Sequence, residues 1–117
     1  MLAYIDFRGD LIGGVVEEFT CLVGTMVQEA YQSSDAIRAA CDASISGHAA
    51  TLEADIAAAI AQYDVNGVTA QSLALHTQTV LQGGFIIAKA KGGQTAARDS
   101  IVHLKRYFVM LFKKGEI

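Results

Sequence analysis

The chain has no proline, only two cysteines, few charges and no apolar run long enough for a bilayer. Without proline nothing but glycine interrupts a helix, and alanine, leucine, isoleucine, glutamine and methionine are plentiful, so the expected class is all-α. Cys21 and Cys41 make neither a disulfide framework nor a metal set. Both lie in apolar helical context and read as small buried hydrophobes in a reducing compartment. No apolar stretch approaches the roughly 18 residues that span a membrane. No charged leader with a small-residue cleavage site opens the chain either. The expected location is the cytoplasm, with no membrane contact.

Charged residues make up 18% of the 117 positions and hydrophobic ones 52%. That is too apolar for a disordered segment, and apolar enough for a small chain to point toward association. The length suits one domain with a real core but not two. A formal charge of −3 argues against nucleic-acid binding by the chain itself, because such binding draws on lysine and arginine against phosphate. Seven of the nine basic residues fall in the last thirty positions and read as the solvated side of two closing helices.

Taken in order, Met1 to Arg8 reads as the end of a helix that starts upstream, with Leu2, Tyr4 and Ile5 turned inward. Gly9, Gly13 and Gly14 mark a loop whose charges, Asp6, Arg8 and Asp10, stay in water. From Val15 to Tyr31 the apolar positions Val16, Phe19, Val23, Met26, Val27 and Ala30 recur at helical spacing. Ser33 or Ser34 then caps a helix running from Asp35 to Tyr63, with Ile37, Cys41, Ile45, Leu52, Ile56 and Ile60 along its apolar face. Such a helix is about 43 Å long, wide for a globule of this size, so a bend is expected near Ser46-Gly47-His48. Asn66-Gly67 is the expected stop, and Thr69 the next N-cap.

The stretch from Thr69 to Phe112 organises the rest. It reads as two helices joined by Gly92-Gly93-Gln94, a turn short enough to force an antiparallel pair. The first carries two adjacent stripes, Leu73, Thr77, Val80, Gly84, Ile87 and Ala74, Gln78, Leu81, Phe85, Ala88, and so faces two neighbours. Gly83 and Gly84 each cost about 1 kcal/mol there relative to alanine. They read as a point of close helix approach, with a local kink as the alternative. In the second helix Ala97, Ile101, Leu104, Phe108 and Leu111 share one seam, and Val102, Tyr107, Val109, Met110 and Phe112 continue off it.

Catalytic chemistry finds little support. There is no strained nucleophile elbow, no phosphate loop and no convergent pair of carboxylates, so an enzyme is not expected. His48, His76 and His103 are far apart, and only Asp99, four before His103, stands near one of them; no metal or cofactor is expected. His48 and His76 have apolar neighbours and could each place a polar group in a pocket, or simply be satisfied histidines at the edge of a core.

Four segments together, CLVGTMVQEAY, SDAIRAACDASISGHAATLEADIAAAIAQ, LALHTQTVLQGGFIIAKAKGG and ARDSIVHLKRYFVMLF, resemble the C-terminal domain of the TetR/AcrR family of bacterial transcription regulators. The resemblance implies five or so helices, of which the last two build a four-helix bundle across a homodimer axis. On the helix faces above, that interface would use Thr77, Leu81, Gly83, Gly84, Ile87, Ile101, Leu104, Tyr107, Phe108 and Leu111. It also implies a small, usually apolar effector held among the middle helices. Their inner faces offer Cys21, Thr25, Met26, His48, Leu52, His76, Val80 and Phe85. In the family, effector binding shifts the first helix of the domain and through it a DNA-reading helix-turn-helix head. No such head is found in these residues, so DNA is expected to be a partner only through an N-terminal domain outside them. The competing expectation is a helical dimerisation or adaptor module without a ligand.

Overall fold

The computed structural model of the chain describes residues 1–12 and 22–113. Among the described residues there are five α-helices and no strand: α1 (Leu2–Asp10), α2 (Leu22–Ala30), α3 (Asp35–Tyr63), α4 (Ala70–Lys91) and α5 (Thr95–Leu111). Their ends follow from local chemistry. Ser34 caps α3, its hydroxyl accepting from the Ile37 N–H at 3.2 Å, and Thr69 caps α4 in the same way with Ser72 at 3.1 Å. α4 ends on Gly92 at φ 70°, whose N–H reaches the Ala88 carbonyl at 2.8 Å. α3 ends at Tyr63 as expected, with Asp64 rather than Asn66-Gly67 making the stop: Asp64 takes the left-handed conformation at φ 51°, and its N–H returns to the Ile60 carbonyl. A short polar side chain tolerates that conformation better than most.

α4 is the central element, packed against α3 on one side and α5 on the other, while α1 lies on α5 and α2 on α3. Every residue of the stripe Ala74, Gln78, Leu81, Phe85 and Ala88 is buried, and Leu73, Thr77 and Gly84 of the second stripe join them. Across from these, α3 contributes Ala49, Leu52 and Ile56, and α5 contributes Ala97, Ile101, Leu104 and Phe108. Burying a large side chain of this kind contributes about 1.5–3 kcal/mol, and α4 touches both sets.

At Gly84 the backbones of α4 and α5 come into close contact. A Cβ built there would lie 3.4 Å from the Ala97 Cα and 3.6 Å from the Ser100 Cβ, whereas one at Gly83 would meet nothing within 4 Å. The glycine pair is thus a contact point through Gly84 alone, and the contact is within the chain.

Two expectations are corrected. Gly9 belongs to α1 rather than to a loop, and a Cβ on it would stand 3.0 Å from Ile101 Cγ2. The missing side chain lets α1 settle onto α5, which a helix of 9 residues needs, since so short a helix is marginal by itself. Asp6 and Asp10 stay exposed as expected, Asp6 in a solvent-exposed pair with Lys105 at 2.8 Å, while Arg8 is half-buried and bonded to Tyr4. Second, α3 runs for 29 residues without interruption at Ser46-Gly47-His48. The molecule accommodates it by being long and flat, 47 × 31 × 19 Å, instead of by breaking the helix. A thickness of 19 Å is two helix layers.

The consequence of that shape is surface. The chain exposes 7122 Å², against about 6100 Å² expected for a compact monomer of its mass. Part of the excess is apolar: Ile87, Val102, Tyr107 and Met110 on α4 and α5 are all 40% or more exposed.

Substitution separates the two mid-helix glycines. Gly83→Ala is expected to raise stability by up to about 1 kcal/mol through helix propensity alone. Gly84→Leu is expected to lower it by about 1–3 kcal/mol by wedging α4 from α5. Urea denaturation of the two variants checks both signs.

Candidate functional site

The effector residues expected from sequence do not converge on one place. Leu52 is 6% exposed inside the core. Thr25 and Met26 sit on α2, where Lys89 Nζ donates to the Thr25 hydroxyl. Cys21 lies outside the described residues. The remaining four divide between two concavities, His48 and Phe85 in one, His76 and Val80 in the other.

The first is a cleft of about 440 Å³ between α1, α3 and α4, lined by Tyr4, Phe7, Arg8, Leu11, Ile12, His48 and Phe85. Each wall has a reason. Ile5 anchors the inner side of α1 in the core at 1% exposure, which leaves Tyr4, Phe7, Arg8 and Leu11 along the helix's other flanks. Phe85, 5% exposed, forms the floor as part of the buried face of α4. His48 faces it from the middle of α3, one residue before the buried Ala49.

At its inner end the cleft carries a polar network. The Tyr4 hydroxyl accepts from Arg8 Nη1 at 3.0 Å and from Gln78 Nε2 at 3.4 Å, and the Arg8 guanidinium lies 5.9 Å from the centre of the Tyr4 ring. Gln78 is 5% exposed, so this bond answers a polar group that burial would otherwise leave costly. Just beside the cleft, Arg98 Nη2 donates to the Ile12 carbonyl at 2.6 Å and ties the end of α1 to α5.

The second concavity is an open groove of about 630 Å³ on the outer side of the α4–α5 pair, with His76, Val80, Ser100, His103 and Tyr107 along it. His76 and Tyr107 meet edge to face, their ring centres 5.7 Å apart. A smaller pocket of about 280 Å³ opens between Leu2, Tyr63, Phe108 and Phe112, below the size that usually holds a ligand. Among the described residues no three His, Cys, Asp or Glu side chains are grouped to hold a metal, and no helix is long and apolar enough to cross a membrane.

No family model, no curated protein and no solved structure matches the chain. The geometry therefore carries the functional argument.

The ten residues expected at a dimer interface divide in a similar way. Thr77, Leu81, Gly84, Ile101, Leu104 and Phe108 are buried in this chain's own core, against α1, α3 and the rest of the closing pair. Gly83, Ile87, Tyr107 and Leu111 keep exposed or half-buried surface. Helical spacing identifies a seam but not which helix fills it, and here α1 and α4 fill the seam of α5.

Sequence reasoning missed Phe7, Arg8, Leu11, Ile12 and Gln78. One signal was present: Tyr4 and Arg8 are four apart and share a helix face, as do Phe7 and Leu11. It was hidden by reading Gly9 as the start of a loop.

The network predicts a coupling. Tyr4→Phe, which strands Gln78 and Arg8, is expected to cost about 1–3 kcal/mol, and Gln78→Leu in the Tyr4→Phe background is expected to recover part of that loss. A double-mutant cycle by urea denaturation measures it, and strict additivity would contradict the assignment.

Proposed function

We propose that the chain is the effector-binding and dimerisation part of a TetR-like transcription regulator. One observation carries the reading: α1 forms a wall of the 440 Å³ cleft and is strapped to α5 by Lys105 to Asp6 and by Arg98 to the Ile12 carbonyl. A ligand that spreads the cleft must therefore move α1 against the closing pair. In the family that this sequence resembles, the corresponding helix leads to the DNA-reading head, so such a movement is what an effector would use. No head is found in these residues, and the chain alone is expected not to bind an operator.

Dimerisation is the second half of the proposal. It is supported by the surface excess of the flat monomer, close to the roughly 800 Å² that each partner buries in a standard interface. The apolar residues left uncovered on α4 and α5, Ile87, Val102, Tyr107 and Met110, are the ones a second copy would cover. They replace the buried seam residues as the expected contact set. The same exposed residues also favour a second reading, a dimerisation module with no effector, because they are independent of the cleft.

Sedimentation at micromolar concentration is expected to give a dimer, and Ile87→Asp combined with Tyr107→Asp is expected to give a folded monomer. A wild-type chain that sediments only as a monomer would remove the proposal. Thermal shifts separate the two readings: an effector domain gains stability from small lipophilic compounds by mass action, and a bare dimerisation module does not.

A further inference from the structure

The polar side chains of the described residues lining the α1–α3–α4 cleft, Tyr4, Arg8 and His48, can each donate a hydrogen bond. Arg8 has five N–H groups, of which one is spent on Tyr4. The Tyr4 oxygen already accepts from Arg8 and Gln78, so its own O–H remains to donate. His48 adds an imidazole from the opposite wall.

Carboxylate acceptors are missing from the described part of the same surface. Among the described residues no Asp or Glu lines the cleft, and the Ile12 carbonyl is taken by Arg98 at 2.6 Å. The carboxylate on the adjacent turn, Asp6, is held by Lys105 at 2.8 and 3.0 Å. Arg8 makes no ion pair among the described residues and is half-buried, so its charge is the one that the cleft presents. The rest of the lining is hydrocarbon: Phe7 on α1 and Leu11 just past its end, one turn further on, are 57% and 56% exposed, and Phe85 closes the floor.

A donor-rich end joined to an apolar bed has a definite complement. A small inorganic anion would leave the hydrocarbon wet, and an uncharged apolar molecule would leave the guanidinium without a counter-charge. We propose that the cleft binds an amphipathic monoanion, a carboxylate carried on an apolar chain or ring, with the carboxylate against Arg8, Tyr4 and His48 and the apolar body over Phe7, Leu11 and Phe85. Arginine suits the role because its planar fork can meet both carboxylate oxygens at once. This assignment rests on the effector-binding reading and adds the chemical class of the effector.

Matched ligands that differ only in the head group test it. Isothermal titration of the whole chain with decanoate, decanol and decylamine, each below its aggregation concentration, is expected to rank decanoate first, at least about tenfold tighter than decanol. Arg8→Met is expected to erase that difference and leave decanol binding unchanged, while Arg8→Lys keeps a preference for decanoate. His48→Gln, on an exposed face and without consequence for folding, is expected to weaken decanoate severalfold and spare decanol. Decanol binding as tightly as decanoate, or decylamine binding more tightly, overturns the carboxylate assignment and leaves the effector reading standing. If none of the three binds, both fall.

Discussion

Everything in this molecule depends on covering one helix from two sides. α4 carries two apolar stripes side by side, so a single neighbour would leave one of them in water. α3 takes one flank and α5 the other, and the close approach at Gly84 brings the α5 backbone in near enough for Ala97 to complete the seal. The Thr77 hydroxyl, fully buried in this packing, is satisfied by the Leu73 carbonyl one turn back at 3.0 Å, so the polar residues of the stripes do not oppose their burial.

The price of that arrangement is a flat molecule. Helices laid on both sides of a central one make a slab two layers thick, and a slab has more surface per residue than a ball. The inner layers take the regular apolar seams, and what remains outside is the irregular surplus of α4 and α5 with its aromatic and aliphatic residues. Exposed apolar residues of this kind are what a partner surface would cover.

α1 connects the two proposed activities. It is too short to persist alone and is held by Ile5 in the core, by the Gly9 crossing over Ile101 and by two polar straps to α5. Its remaining flanks form the rim of the cleft. A helix retained by a few contacts beside a cavity is an element that ligand binding can bias. Exposed ion pairs such as Lys105 to Asp6 contribute only about 0.2–1 kcal/mol, which keeps such a bias within reach of ordinary binding energies.

Much of the fold was legible in the residues because helix formation is local. Ser33 or Ser34, Thr69 and Gly92 announce the caps, the turn at Gly92-Gly93 is too short for anything but an antiparallel pair, and the spacing of Ala97, Ile101, Leu104 and Phe108 marks a buried face. The candidate site was less legible. His48 and Phe85 were singled out, but Arg8 was left in water and His76 was grouped with residues on another face. The long helix runs unbroken through Ser46-Gly47-His48, because its fit depends on the shape of the whole molecule. By itself the sequence determined which segments are helical, where most of them end and which faces seek cover, since those follow from contacts within about four residues. Which face meets which, whether a seam is filled from inside or left for a partner, and which polar groups share a cleft were decided by the tertiary structure, because packing joins residues such as Tyr4 and Gln78 that lie far apart along the chain.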